Sequence, residues 1–191
     1  MILRRDRQRS PGSGEGMNAE MTSCEIRAAR CTIEDRDAFL HMIREIARQY
    51  HINIICFNAD MLAGRRHAES AVRHAVRSFE AGDHISNTLE MEALLYAAGS
   101  RQCSTAATFG FHEGENHLWI CSYPSSNTGW EALASVMHYV EGGLFEGIDQ
   151  KKQESLMQLF NITADELGSL ESTDRISDLV LERVALLDVI R

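Results

Sequence analysis

The chain has almost no proline and almost no lysine: two prolines in 191 residues, and lysine only at Lys151 and Lys152. So little proline, with only 13 glycines, excludes a collagen-like or proline-rich low-complexity protein. No apolar run approaches the roughly 18 residues that a membrane span needs. There is no C-x-x-C pair among the five cysteines (Cys24, Cys31, Cys56, Cys103 and Cys121), which argues against a zinc site built on closely spaced thiolates. G-x-S-x-G, Walker and dinucleotide-binding glycine patterns are also missing, and no histidines pair at metal-ligand spacing in a recognisable motif. No catalytic residue, cofactor or metal site is therefore expected. The N-terminus lacks the apolar core of a secretory signal, so a reducing, cytoplasmic setting is expected.

What is present is an ordinary globular composition, 44% hydrophobic and 25% charged, with a formal net charge of −9. That acidity opposes general coating of nucleic acid. Residues 1–21 read as a separate tail: Arg4, Arg5, Arg7 and Arg9 precede Ser-Pro-Gly-Ser-Gly-Glu-Gly, a composition that buries nothing. Residues 22–191 are expected to form one domain.

Within that domain, strands are expected over 25–31, 52–57 and 117–123. Thr32 is the expected cap of the helix that follows the first strand. Further helices are expected over 61–80, 88–98, 103–109, 129–140, 151–159, 164–170 and 174–188. Thr163 with Glu166 has capping-box spacing. Few strands among many helices predict an α+β fold, a small mostly antiparallel sheet packed with several helices. Cys31, Cys56 and Cys121 lie in or beside strand-like runs, as small buried hydrophobes do.

Two segments carry the chemistry. In the 61–80 helix, Ala68, Val72, Ala75, Val76 and Phe79 share one face, while Arg66, Arg73 and Arg77 share the other. Arg65, His67 and His74 extend the positive stripe. The stripe is either a solvated face or a phosphate-binding strip, since arginine forks suit phosphate oxygens. Residues 141–191 hold 11 acidic and 5 basic groups, so positive charge is segregated in a manner that favours one defined anion contact. The second segment, ISNTLEMEALLYAAGSRQ at 85–102, opens on the N-cap cluster Ser86-Asn87-Thr88, with Asn87 and Glu90 at capping-box spacing. Arg101 and Gln102 lie at its far end, so the two ends suit an extended ligand better than one small phosphate. Glu90 and Glu92 point to different sides of a helix and read as structural. Near the C-terminus, Ile176, Leu179, Val180, Val184 and Leu187 form one apolar stripe, with Leu181, Leu186 and Val189 outside it. That excess suits a helix that is either fully buried or docked on a partner.

These segments resemble the small accessory subunit of the KEOPS complex, the PRPK-binding-protein family. The resemblance is carried by Phe57-Asn58-Ala59-Asp60 with Arg65-Arg66-His67, by 85–102, by Phe160-Asn161-Ile162-Thr163 with Asp165-Glu166-Leu167, and by VLERVALLDV at 180–189. It implies a non-enzymatic subunit that binds a PRPK-type kinase and recruits tRNA through its single-stranded 3′ CCA end. Such a subunit supports threonylcarbamoyladenosine formation next to the anticodon, beside the threonylcarbamoyl-transferase subunit and without a membrane partner. On that resemblance the RNA contact would use Asn58, Arg65, Arg66, His67, Ser86, Asn87, Arg101 and Gln102, with Phe109 as an apolar wall. The kinase contact would use Ile176, Leu179, Val180 and Arg183. Two other readings remain open: a kinase regulator that makes no tRNA contact, and a small nucleotide-handling enzyme using Glu92 or a histidine.

Overall fold

The computed structural model describes residues 24–168 and 173–189; the tail expected over 1–21 lies outside them. Four strands form one antiparallel sheet: β1 (Glu25–Ile33), β2 (Asn53–Asn58), β3 (Gly114–Tyr123) and β4 (His138–Val140), in the order β2-β3-β1-β4. The helices among the described residues are α1 (Arg36–Tyr50), α2 (Arg65–Ala81), α3 (Leu89–Ala97), α4 (Cys103–Ala107), α5 (Asn127–Leu133), α6 (Gln150–Leu159), α7 (Ala164–Leu167) and α8 (Thr173–Leu186). The α+β expectation holds.

Side chains alternate across a strand, and here both faces of the sheet are buried. Ala29, Ile33, Ile54, Cys56, Leu118 and Ile120 join Phe39, Ile43, Trp130 and Leu133 of α1 and α5. On the other face Ile26, Ala28, Ile55, Phe57, Trp119 and Cys121 meet the larger cluster that includes α2, α3, α6 and α8. Alanine at 68, 71 and 75, each fully buried, lets α2 approach its neighbours closely. Because α3 is packed on nearly all sides, its apolar residues show no single stripe.

Three local expectations are corrected. Thr32 belongs to β1, and α1 is capped by Asp35, whose Oδ1 accepts from the Asp37 and Ala38 amides at 2.9 Å. The cap of α3 is Thr88 in place of Asn87, with the hydroxyl accepting from the Met91 amide at 3.3 Å. The helix expected over 129–140 ends at Leu133, and residues 138–140 instead pair with β1 (Ala28 with Val140, Arg30 with His138). An open strand edge competes for backbone hydrogen bonds, and β1 offers one to this segment. The Tyr139 hydroxyl then fastens the return by donating to the Trp130 carbonyl at 2.7 Å.

Candidate functional site

Helix α2 organises the surface of interest. It starts after Gly64, whose φ of 90° suits glycine, and its first amide, that of Arg65, donates to the Glu146 carboxylate at 3.2 Å. It ends at the left-handed Gly82, where the Gly82 and Asp83 amides donate to the Phe79 and Ser78 carbonyls. Between these caps the alanine face is buried, and Arg65, Arg66, Arg73 and Arg77 are exposed. Arg65 pairs with Glu69 at 2.8 Å, Arg66 lies 3.9 Å from Asp178, and Arg77 pairs with Asp188. Arg73 has no acidic partner among the described residues.

Beside this face lies a cavity of about 500 Å³ bordered by Cys24, Arg65, Glu69, Arg73, Arg77 and Tyr123. A second, more open one of about 430 Å³ is bordered by Asn53, Phe79, Asn87, Thr88, Leu89 and Glu90. Val76, Glu80 and Tyr123 border both, so the two form one groove. The groove runs from the arginines of α2 to the loop before α3. The tertiary structure thus joins the arginine stripe to Asn87 of the cap cluster, with Tyr123 and Phe79 as aromatic walls and Glu69, Glu80 and Glu90 as acidic ones.

Asn87 is held there by a carboxylate that the sequence does not advertise. Glu92 is fully buried and accepts from the Ile85 amide at 2.9 Å, the Ser86 amide at 2.8 Å and the Ser78 hydroxyl at 3.1 Å. It ties the loop before α3 to both α3 and α2.

Several residues expected at the surface lie elsewhere. His67, expected on the exposed stripe, is fully buried: its Nδ1 accepts from the Ala63 amide at 3.2 Å and its Nε2 bonds the Ala97 carbonyl at 2.9 Å. This fixes the neutral Nε2–H tautomer, and burial pushes its pKa down to about 4. His74 is also turned inward, bonding Asp188 at 2.8 Å. Phe109 is in the core, edge-on to Phe160 with centroids 6.0 Å apart, and has no wall to offer a ligand. Asn58 is buried and spends its Oδ1 on the Asp60 amide at 3.0 Å, capping a single 3-10 turn. Ser86 is buried, with its hydroxyl donating to the Thr88 carbonyl at 2.7 Å. Arg101 and Gln102 are exposed, but neither borders the groove.

The C-terminal expectation needs a similar correction. Ile176, Leu179 and Val180 are 0%, 3% and 0% exposed, so they hold α8 onto the core and present nothing to a partner. Arg183 is half-buried and occupied with Glu166 at 2.6 Å. Glu166 also closes the expected capping box with Thr163. That backbone hydrogen bond, and then Arg183, hold the carboxyl at about 2. Among the described residues, the large apolar side chains that α8 and its end leave in solvent are Leu186 at 42% and Val189 at 76% exposure. Next to them Asp188 accepts from Tyr96, His74 and Arg77; burial raises its pKa, but the hydrogen bonds from Tyr96 and His74 outweigh that and lower it. No local pattern could have revealed Glu92 or Asp188 as hubs, because their partners are distant in the chain or depend on a loop conformation. No helix among the described residues is long and apolar enough to cross a membrane.

A comparison with curated proteins finds no match. The family model for kinase binding protein CGI-121, in contrast, matches residues 33–188, more than four-fifths of the chain. The matched span takes in α2, the loop before α3 and all of α8, so the chain belongs to the kinase binding protein CGI-121 family.

Proposed function

We propose that this kinase-binding protein is a non-catalytic KEOPS-type subunit that docks on a PRPK-type small kinase and recruits tRNA through its 3′ CCA end. In that role it supports threonylcarbamoyladenosine formation next to the anticodon, indirectly serving the threonylcarbamoyl-transferase subunit, in the cytoplasm. The observation that carries the RNA half is the continuous groove from Arg65, Arg73 and Arg77 to Asn87. An unpaired CCA end offers phosphates at one-nucleotide intervals and bases with open π faces. Arginines suit the first, and Tyr123 and Phe79 on the groove walls suit the second. Single-strand binding of this kind is salt-dependent, and the carboxylates around the groove keep it weak for nucleic acid in general.

For the kinase, Leu186 and Val189 at the end of α8 supply exposed apolar surface that the core does not use. Their neighbourhood is also the part of the molecule where Asp188 ties α8 to α2 and α3.

The test is gel-shift binding of the full chain to tRNA with and without its CCA end. The parent is expected to lose binding when CCA is removed. Arg65→Ala with Arg73→Ala is expected to bind about 10-fold more weakly, with a salt slope shallower by about 1.4 for the two lost phosphate contacts. Both side chains are exposed, so thermal stability should hold. Equal binding with and without CCA would overturn the RNA reading. A second reading, a kinase regulator without tRNA contact, is favoured by the ion pairs already made by Arg65 and Arg77 and by the net charge of −9. It expects no shift with either tRNA.

A further inference from the structure

The groove has a feature that neither kinase docking nor RNA recruitment uses. Cys24 stands just before β1, and Cys121 lies on β3 opposite Ile26, so the two cysteines project from the same side of the sheet one diagonal step apart. Their sulfurs are 3.0 Å apart, within hydrogen-bonding distance for thiols, and neither is in a disulfide. Cys24 borders the cavity beneath Arg65, Arg73 and Arg77, whereas Cys121 is fully buried.

We propose that Cys24 and Cys121 are a redox-active dithiol that a hydroperoxide converts to an intramolecular disulfide. An S–S bond is about 2.05 Å long, so closure needs the sulfurs to move together by roughly 1 Å. Cys24 precedes the first hydrogen-bonded residue of β1 and is the partner with room to move.

The two thiols are not equivalent. The hydrogen bond from Cys121 lowers the pKa of Cys24 on balance, against burial and the Glu69 charge and with help from Arg65. Cys121 is pushed up by that same hydrogen bond and by burial. Cys24, which borders the cavity, is the attacking sulfur, and the buried Cys121 is the resolving one. The Cys24 thiolate attacks one peroxide oxygen. The O–O bond breaks, and the departing hydroxide takes up the proton Cys24 released, giving water and a Cys24 sulfenic acid. The Cys121 sulfur then attacks the Cys24 sulfur, the S–O bond breaks, and the Cys121 proton leaves with the hydroxide as a second water. Overall, two thiols and one hydrogen peroxide give one disulfide and two waters. Two electrons pass from sulfur to the peroxide.

Disulfides that form in a reducing compartment are characteristically redox-responsive. This one would fasten the start of β1 to β3 and remove a thiol from the lining of the groove. Neither consequence depends on what the groove binds.

The experiment uses the full chain, reduced, desalted and exposed to hydrogen peroxide, then quenched with catalase, denatured, and alkylated with N-ethylmaleimide. The reduced parent takes up an adduct on each of its five cysteines. The oxidised parent is expected to take up two fewer. Trypsin should then release a cross-link between the peptides 10–27 and 102–151, which reducing agent separates. The second peptide also contains Cys103, so the measurement is repeated on Cys103→Ser, where the cross-link should persist. In Cys24→Ser, a change at a half-buried position that leaves the core intact, it should vanish. Unchanged adduct numbers would overturn the proposal. So would sulfinic acid at Cys24 without a cross-link, or a cross-link that disappears with Cys103.

Discussion

Removing the Glu92 carboxylate is the sharpest test of how the loop before α3 is held. In Glu92→Ala the amides of Ile85 and Ser86 lose their acceptor, and the Ser78 hydroxyl loses its own. The hydroxyl can turn to a carbonyl of its own helix, as serine commonly does. The Ser86 amide belongs to a buried residue and has no such option. A buried donor left unsatisfied costs about 1–3 kcal/mol, and hydrogen bonds to a charged acceptor contribute about 1.5–3 kcal/mol each. Relief from burying an ionised carboxylate offsets part of this, leaving a net loss of about 3 kcal/mol. At about 2–4 °C per kcal/mol for a chain of this size, the melting temperature should fall by roughly 6–12 °C. Glu92→Gln keeps one carbonyl oxygen but turns an amide NH2 toward backbone donors, so it should lose about 2 kcal/mol. Circular dichroism melts at 222 nm read both, with the less buried Glu90→Ala as control. A Glu92→Ala melt within about 2 °C of the parent, or a Glu90→Ala loss of the same size, would refute the reasoning.

Two other outcomes follow from the same structure. His67 is neutral in the fold at about 4, against an ordinary value of 6.5, so between those pH values the unfolded chain binds a proton that the native chain refuses. Stability should be flat above pH 6.5 and fall by about 3 kcal/mol as pH drops to 4; His67→Gln should flatten that slope, and an unaltered slope would count against it. For the kinase surface, Leu186→Arg with Val189→Arg should abolish co-elution with a PRPK-type kinase while leaving the melt unchanged, because both side chains are solvent-facing. Leu179→Arg would unfold the domain instead, since that side chain is 3% exposed.

Periodicity was enough to place most of the elements. The alanine face of α2, the apolar stripe of α8 and the capping box at Thr163 are local patterns, fixed by the 3.6-residue repeat and by three-residue cap spacing, and each stands as the sequence predicts. The exposed position of Leu186 and Val189 is part of the same arithmetic. The division of α2 into a buried alanine side and an exposed arginine side needs no neighbours to explain it.

Tertiary structure decided what those patterns meet. His67 sits in a helix turn that sequence alone assigns to the arginine side, yet packing of α2 against α3 turns it onto the Ala97 carbonyl. Residues 138–140 have helical surroundings, but the free edge of β1 draws them into the sheet. The family resemblance places Asn58, Ser86 and Phe109 at a ligand, and the fold buries all three. Ile176, Leu179 and Val180 were legible as one apolar face; only the fold says that the domain itself covers it. The groove, the Glu92 anchor and the Cys24–Cys121 contact all join residues far apart in the chain or in a loop of special shape. Local periodicity carries no information about such pairs, because it is the approach of one element to another that brings the atoms within bonding distance.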